Sequence, residues 1–206
     1  HGLQVLTQNT VTAVTATNPG VQITSNGTQH AFDAAVLCTG QFAPPLLRTL
    51  GLPLPLAAIE GFRLSTTIAE QSLAPRGSVV DIEHGFVLTR QGTRLRISGG
   101  AQLGHADTPE RTEEARHALT SVLLEWFPGS IVRQQSVLHM WRGARLTAPD
   151  GLPVLGASDT PGVWLNLAHG GHGWGLAMGC AHHVRQLIDA QGTSVDAAAF
   201  GYTRFQ

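Results

Sequence analysis

The chain has 206 residues, enough for one large domain or two small ones with a real core. Hydrophobic residues make up 42%, charged residues only 13%, and the formal net charge is -1. There is no basic run, which argues against nucleic acid as a partner, and so low a charge fraction points to surface covered by a cofactor, another chain or another part of the protein.

Cys38 and Cys180 lie far apart with no metal-ligand spacing, which fits a reduced, cytoplasmic setting. No apolar run approaches membrane-spanning length. The start, His1-Gly2-Leu3-Gln4-Val5, has no signal-peptide pattern and no initiator Met. It begins directly in strand-like sequence and reads as a fragment or processed chain.

Residues 3–38 read as short strands. Val11, Val14, Val21 and Ile23 are β-branched, and Asn18-Pro19-Gly20 and Ser25-Asn26-Gly27 are turn signals between them. Ala34 to Cys38 reads as a fully buried strand ending at Thr39-Gly40, where the backbone approaches something closely. One helical turn is expected over Leu46–Leu50, after Pro44-Pro45. Pro53 and Pro55 mark a crossing segment.

Strands follow at Phe62–Ile68, 79–82, 86–89 and 94–97, with a hairpin turn at Gln91-Gly92 and a strand end at Gly99-Gly100. This predicts an antiparallel sheet with one polar face. Thr108-Pro109-Glu110 is a helix start, with Ala115, Leu119, Val122 and Trp126 on one face and a stop at Pro128-Gly129. Residues 132–140 read as a strand leading into Trp141. Val163–Leu167 is another. A helix from Gly173 to near Gly192 places Ala177, Cys180, Ala181, Val184 and Leu187 on one face.

Two pieces carry the chemistry. The sequence His169-Gly170-Gly171-His172-Gly173 stands between a strand and a helix. Free backbone N–H groups and a positive helix end there suit a phosphate or the electron-rich edge of a reduced flavin. A tight packing turn would look the same. The pattern is not G-x-G-x-x-G. Arg145 stands beside the turn at Pro149-Asp150-Gly151. It could hold a carboxylate through two parallel hydrogen bonds, or it could be a surface arginine paired with Asp150. His169, His172, His182 and His183 lack a completing carboxylate or cysteine at metal spacing, so no metal is expected. Ser98-Gly99 lacks the G-x-S-x-G elbow of a hydrolase.

The run Trp141-Arg142-Gly143-Ala144-Arg145, continued by Asp150-Gly151-Leu152-Pro153-Val154-Leu155-Gly156, resembles the W-x-G-x-R-P-x-T-x-D-G-x-P-x-I-G signature of FAD-dependent amine and amino-acid oxidoreductases. This is the D-amino acid oxidase, glycine oxidase and D-amino acid dehydrogenase group. Ala168 to Trp174 resembles the G-H-G-x-x-G-W loop of the dehydrogenase branch. Ala35 to Gly40, Leu54 to Phe62 and Arg94 to Gly99 are similar to further family segments, in family order. Departures fall at Leu146, Phe62, Gln102 and the displaced Thr147-Ala148-Pro149-Asp150. They bear on the substrate more than on the fold.

The resemblance implies an α/β (α+β) fold. It consists of the C-terminal part of a Rossmann-like FAD-binding domain plus an antiparallel-sheet substrate domain, without the N-terminal GxGxxG unit. The implied boundaries are 1–52 and 144–206 for the FAD domain and 53–143 for the substrate domain. Arg145 matches the residue that binds the substrate carboxylate, and Phe86 stands where relatives place a tyrosine over the substrate. Val11 matches a position touching the adenine portion. Thr39 and Gly40 flank the pyrophosphate. His169, Gly170, Gly171, His172, Gly173 and Trp174 match the loop at the flavin pyrimidine edge.

The implied reaction oxidises the C–N bond of a D-amino acid by hydride transfer to flavin N5, with quinone or O2 as final acceptor. A glycine- or sarcosine-type oxidase, an amine dehydrogenase subunit, and a non-catalytic module docking on an FAD-binding partner are the alternatives. A missing N-terminal half or partner subunit is implied, and the place is cytoplasmic, with a peripheral seat on the inner membrane left open.

Overall fold

The computed structural model describes residues 2–104, 108–131 and 138–206. The chain divides into two compact units. One joins His1–Ala57 with Arg145–Gln206, and the other is Ala58–Ala144.

The first unit opens with a three-stranded antiparallel meander, β1 (Val11–Ala16), β2 (Val21–Ser25) and β3 (Thr28–Phe32). The turns lie at the two Gly-containing segments that the sequence marks. Gly20 has a φ of +85°, and a Cβ there would collide with the carbonyl oxygen of Phe32, so this turn needs glycine.

A second sheet has the order β10 (Val154–Ala157), β11 (Val163–Leu167), β4 (Ala35–Leu37). β11 is parallel to β4 and antiparallel to β10. Ala35 and Leu37 are buried, but Val36 is 42% exposed. The expected fully buried strand therefore alternates: Ala35 and Leu37 face the core, and Val36 points to the other face of the sheet. α1 (Ala43–Thr49) takes in Pro44 and Pro45 at its start, where proline's missing N–H costs nothing. Leu46 and Leu47 pack with Val21, Leu37, Val163 and Leu165 in this unit's main core.

α3 (Gly173–Ile188) lies on β10 and β11. It buries Cys180, His183 and Val184, while Ala177 and Ala181 of the expected face are exposed. The helix therefore seats only its later turns.

The second unit is a five-stranded sheet of order β6 (Val79–Asp81), β7 (Phe86–Gln91), β8 (Arg94–Leu103), β5 (Ala57–Thr67), β9 (His139–Thr147). The turn after β6 is held by Asp81, whose carboxylate accepts from the His84 backbone N–H at 2.9 Å and pairs with the His84 ring at 2.8 Å. β8 runs through Gly99-Gly100 to Leu103 instead of ending there. Pairing with β5 carries it, and Gly99 makes room for the Phe86 ring on the neighbouring strand.

Thr108 caps α2 (Pro109–Trp126), its hydroxyl accepting from the Arg111 N–H. α2 buries Ala115, Leu119 and Leu123 against Phe62, Leu64, Leu88, Leu95 and Ile97. The buried stripe follows i, i+4, i+8. Trp126, expected on it, is 40% exposed. Of the strand expected over 132–140, residues 132–137 lie outside the described ones.

Candidate functional site

β9 is the element that delivers Arg145. The sequence marks a strand only as far as Trp141, and β9 runs on through Gly143 and Arg145 to Thr147. Its last residue, Thr147, forms an antiparallel bridge with His169. That bridge brings the end of β9 against the glycine loop. The Arg145 guanidinium lies beside Gly171: a Cβ built on Gly171 would stand 3.8 Å from Nη1.

Asp150 does not pair with Arg145. Arg204, 54 residues away in sequence, takes Asp150 at 2.7 and 3.3 Å and also donates to the carbonyls of Leu152, Phe200 and Gly201. Its hydrogen bond holds the Asp150 carboxyl below the usual carboxylate range. Arg145 is exposed and makes no ion pair among the described residues. Its charge is therefore available to a ligand.

The loop itself is strained and open. Ala168 is buried at a φ of +59°, an uncommon conformation for a residue with a side chain, and Gly170 follows at +55°. The His169 ring is part-buried and lies 2.9 Å from the side-chain oxygen of Asn166. Burial pushes its pKa down, which keeps the imidazole neutral. A Cβ on Gly173 would stand 3.1 Å from that of His169, so the close turn into α3 favours glycine. No side chain caps α3 at His172. Its positive end is thus left for a ligand or water. Trp174 is 98% exposed and His172 is exposed.

β4 and β11 are parallel and in register, so their carboxyl ends open on the same side. In open α/β sheets ligands bind at such ends. Thr39 and Gly40 follow β4, and Asn166 on β11 holds the His169 ring. Thr39 Oγ1 is buried with no partner among the described residues, and Gly40 has a φ of +50° with open space beside it. Val11 and Thr39 line one shallow, mostly apolar cavity of about 280 Å³, with Val36 and Phe32.

The sequence-derived residues of the first unit thus form two groups. Arg145 joins His169, Gly170, Gly171 and Gly173 at the head of α3, and Val11 joins Thr39. Phe86 belongs to the other unit, on β7 against Gly99. Thr147, Asn166 and Arg204 were not legible. Their roles arise from pairings that no local pattern announces.

The profile of one family, DAO (FAD dependent oxidoreductase), matches residues 1–187. The chain belongs to that family. FAD is the family's cofactor, and oxidoreduction its chemistry.

Curated relatives agree. A D-amino acid dehydrogenase of Cereibacter sphaeroides is 35% identical over 185 residues, covering 88% of this chain and 41% of its own. One from Rhodopseudomonas palustris is 29% identical over 206 residues, covering 100% of this chain and 48% of its own. The chain thus spans less than half the length of these relatives.

Among solved structures, glycine oxidase from Geobacillus kaustophilus superimposes with a TM-score of 0.80 at 21% identity, over 95% of this chain and 52% of that one. L-Proline dehydrogenase from P. horikoshii gives 0.79 at 19% identity, over 99% and 55%. These likenesses establish the fold: the mixed α/β architecture of FAD-dependent amino-acid oxidoreductases. Among the described residues, no helix is long and apolar enough to cross a membrane.

Proposed function

We propose that this chain forms the substrate-carboxylate and flavin-edge side of an FAD-dependent D-amino acid dehydrogenase. The observation that carries the reading is the Arg145 guanidinium, without an ion pair among the described residues, beside Gly171 at the head of α3, which the side chain of its N-cap residue does not cover.

The residues present fit the cofactor. The buried hydroxyl of Thr39, with no partner among the described residues, and the open backbone at Gly40 suit the pyrophosphate. The cavity at Val11 is apolar, as a purine face requires. Gly170 to Trp174 offer backbone N–H groups and a helix end to the pyrimidine edge. Bound FAD would supply the hydride acceptor for the substrate's α-carbon, and the resulting imine hydrolyses to a keto acid.

The chain's own groups bind and orient. Arg145 takes the substrate carboxylate through two parallel N–H donors and fixes the rotation of the amine carbon. Neutral His169 adds no second positive charge to compete with Arg145 for the carboxylate, and its bond to Asn166 holds the loop. The positive head of α3 favours the negative charge that the reduced cofactor carries. Orienting the neutral amine's α-C–H needs no acid–base side chain from this chain.

We further propose that a dinucleotide-binding half packs on the first turns of α3. Trp174, Leu176 and Met178 are exposed there, a surface that suits an apolar neighbour.

The test is anaerobic mixing of the FAD-loaded protein carrying this chain with D-alanine, L-alanine and sarcosine. Flavin bleaching by D-alanine well ahead of the other two is expected. Bleaching by sarcosine alone would move the assignment to a secondary-amine oxidase, and bleaching by none would leave the docking-module alternative.

A further inference from the structure

We propose that the five-stranded sheet carries a second site, on the face opposite α2, that binds the phosphate group of a small phosphoester.

The strand register builds it. On β5, Phe62 and Leu64 point to the α2 side, so Arg63 and Ser65 point to the other. On β8, Leu95 and Ile97 point to α2, so Arg94 and Arg96 join Arg63 and Ser65. Ser65 stands directly opposite Arg96, and Arg63 is its diagonal neighbour through Ser98. Gln91 faces Arg94 from β7. From β9, Trp141 lies under the Arg63 guanidinium, 4.8 Å from the ring centroid. A cavity of about 310 Å³ opens among these groups.

Three guanidinium groups on one sheet face repel one another, and like charges so placed are destabilising. The usual compensation is a carboxylate, yet among the described residues no acidic one lines the cavity. None of the three arginines forms an ion pair among the described residues. The Nε atoms of Arg63 and Arg96 are buried without a hydrogen-bond partner among the described residues. Buried donors left unpaired are costly, and two converging on one cavity call for a ligand.

The chemistry selects an anion with several acceptor oxygens. A lone carboxylate is satisfied by one arginine fork. A phosphate monoester presents three oxygens and about two charges, which matches several guanidiniums, the Ser65 hydroxyl and the Gln91 amide. The Trp141 stack pre-sets the plane of Arg63, so little freedom is lost on binding. All of these residues lie in the second unit, whereas Arg145 and the glycine loop lie in the first.

Titration calorimetry of the intact protein with inorganic phosphate, at constant ionic strength, tests the proposal. Saturable binding is expected. Arg63→Gln, Arg94→Gln and Arg96→Gln, tested separately so that one misfolded variant does not decide the matter, should each weaken it by roughly tenfold or more. Arg48→Gln, on α1, removes the same charge and should change nothing. Glycerol 3-phosphate and vesicles containing phosphatidic acid compare a soluble ester with a lipid headgroup as the source, and loss of either in the same variants supports the site. Absence of saturable phosphate binding, or equal weakening by Arg48→Gln, overturns it.

Discussion

Replacing Arg204 by alanine removes five hydrogen bonds at once. Two go to Asp150 and one each to the carbonyls of Leu152, Phe200 and Gly201. Arg204 is 13% exposed and Asp150 36%, so the ion pair is screened and contributes at most about 1 kcal/mol. The three carbonyl bonds, at somewhat under 1 kcal/mol each, bring the expected loss to about 2–3 kcal/mol. Arg204→Lys should recover less than half, since one ammonium does not span the fork of acceptors. Urea unfolding followed by circular dichroism measures both.

The sign with pH is fixed by Asp150. Its carboxyl is held low, chiefly by Arg204, so the pair's contribution is fully present above the ordinary carboxylate range and is lost as pH falls through the lowered value. The gap between wild type and variant should narrow on acidification. A loss under about 0.5 kcal/mol, or full rescue by lysine, would refute the assignment of Arg204 as the clamp on this turn.

Leu165→Ala should cost about 2–5 kcal/mol by the same assay, because the side chain is fully buried between β4 and β10. Gly20→Ala should destabilise the meander by at least about 1 kcal/mol, since its φ is positive and a Cβ strikes the Phe32 carbonyl. His169, held neutral by burial, should titrate by NMR below the ordinary histidine value of about 6.5. Its contribution to stability is then complete above that value and fades as pH falls through the lowered one. A midpoint at or above 6.5 would contradict the buried placement.

Much of the fold was legible where local chemistry decides. The Gly-containing turns announced the meander, and Thr108-Pro109-Glu110 announced α2. The errors share a cause in tertiary context. The strand expected to lead into Trp141 has no extent marked beyond it in sequence, whereas β9 runs on through Gly143 and Arg145 to Thr147. β10 was not foreseen, because Val154–Ala157 contains Gly156 and is defined only by its partner β11. Val36 reads as buried because its neighbours are, but it points to the face of β4 away from the core.

In the site, Arg145 and the glycine loop could be singled out by residue type and by resemblance. Their proximity could not, since it depends on the single bridge between Thr147 and His169. The natural guess that Asp150 neutralises Arg145 failed for the same reason. The true partner, Arg204, comes from the far end of the sequence.

The most direct test of the central claim is steady-state kinetics of Arg145→Ala in the FAD-loaded protein, with D-alanine and with ethylamine, which lacks the carboxylate. Apparent binding of the acid should weaken by about 2–5 kcal/mol while turnover of the amine is unchanged. Equal effects on both substrates, or none on the acid, would contradict the placing of Arg145 as the carboxylate anchor.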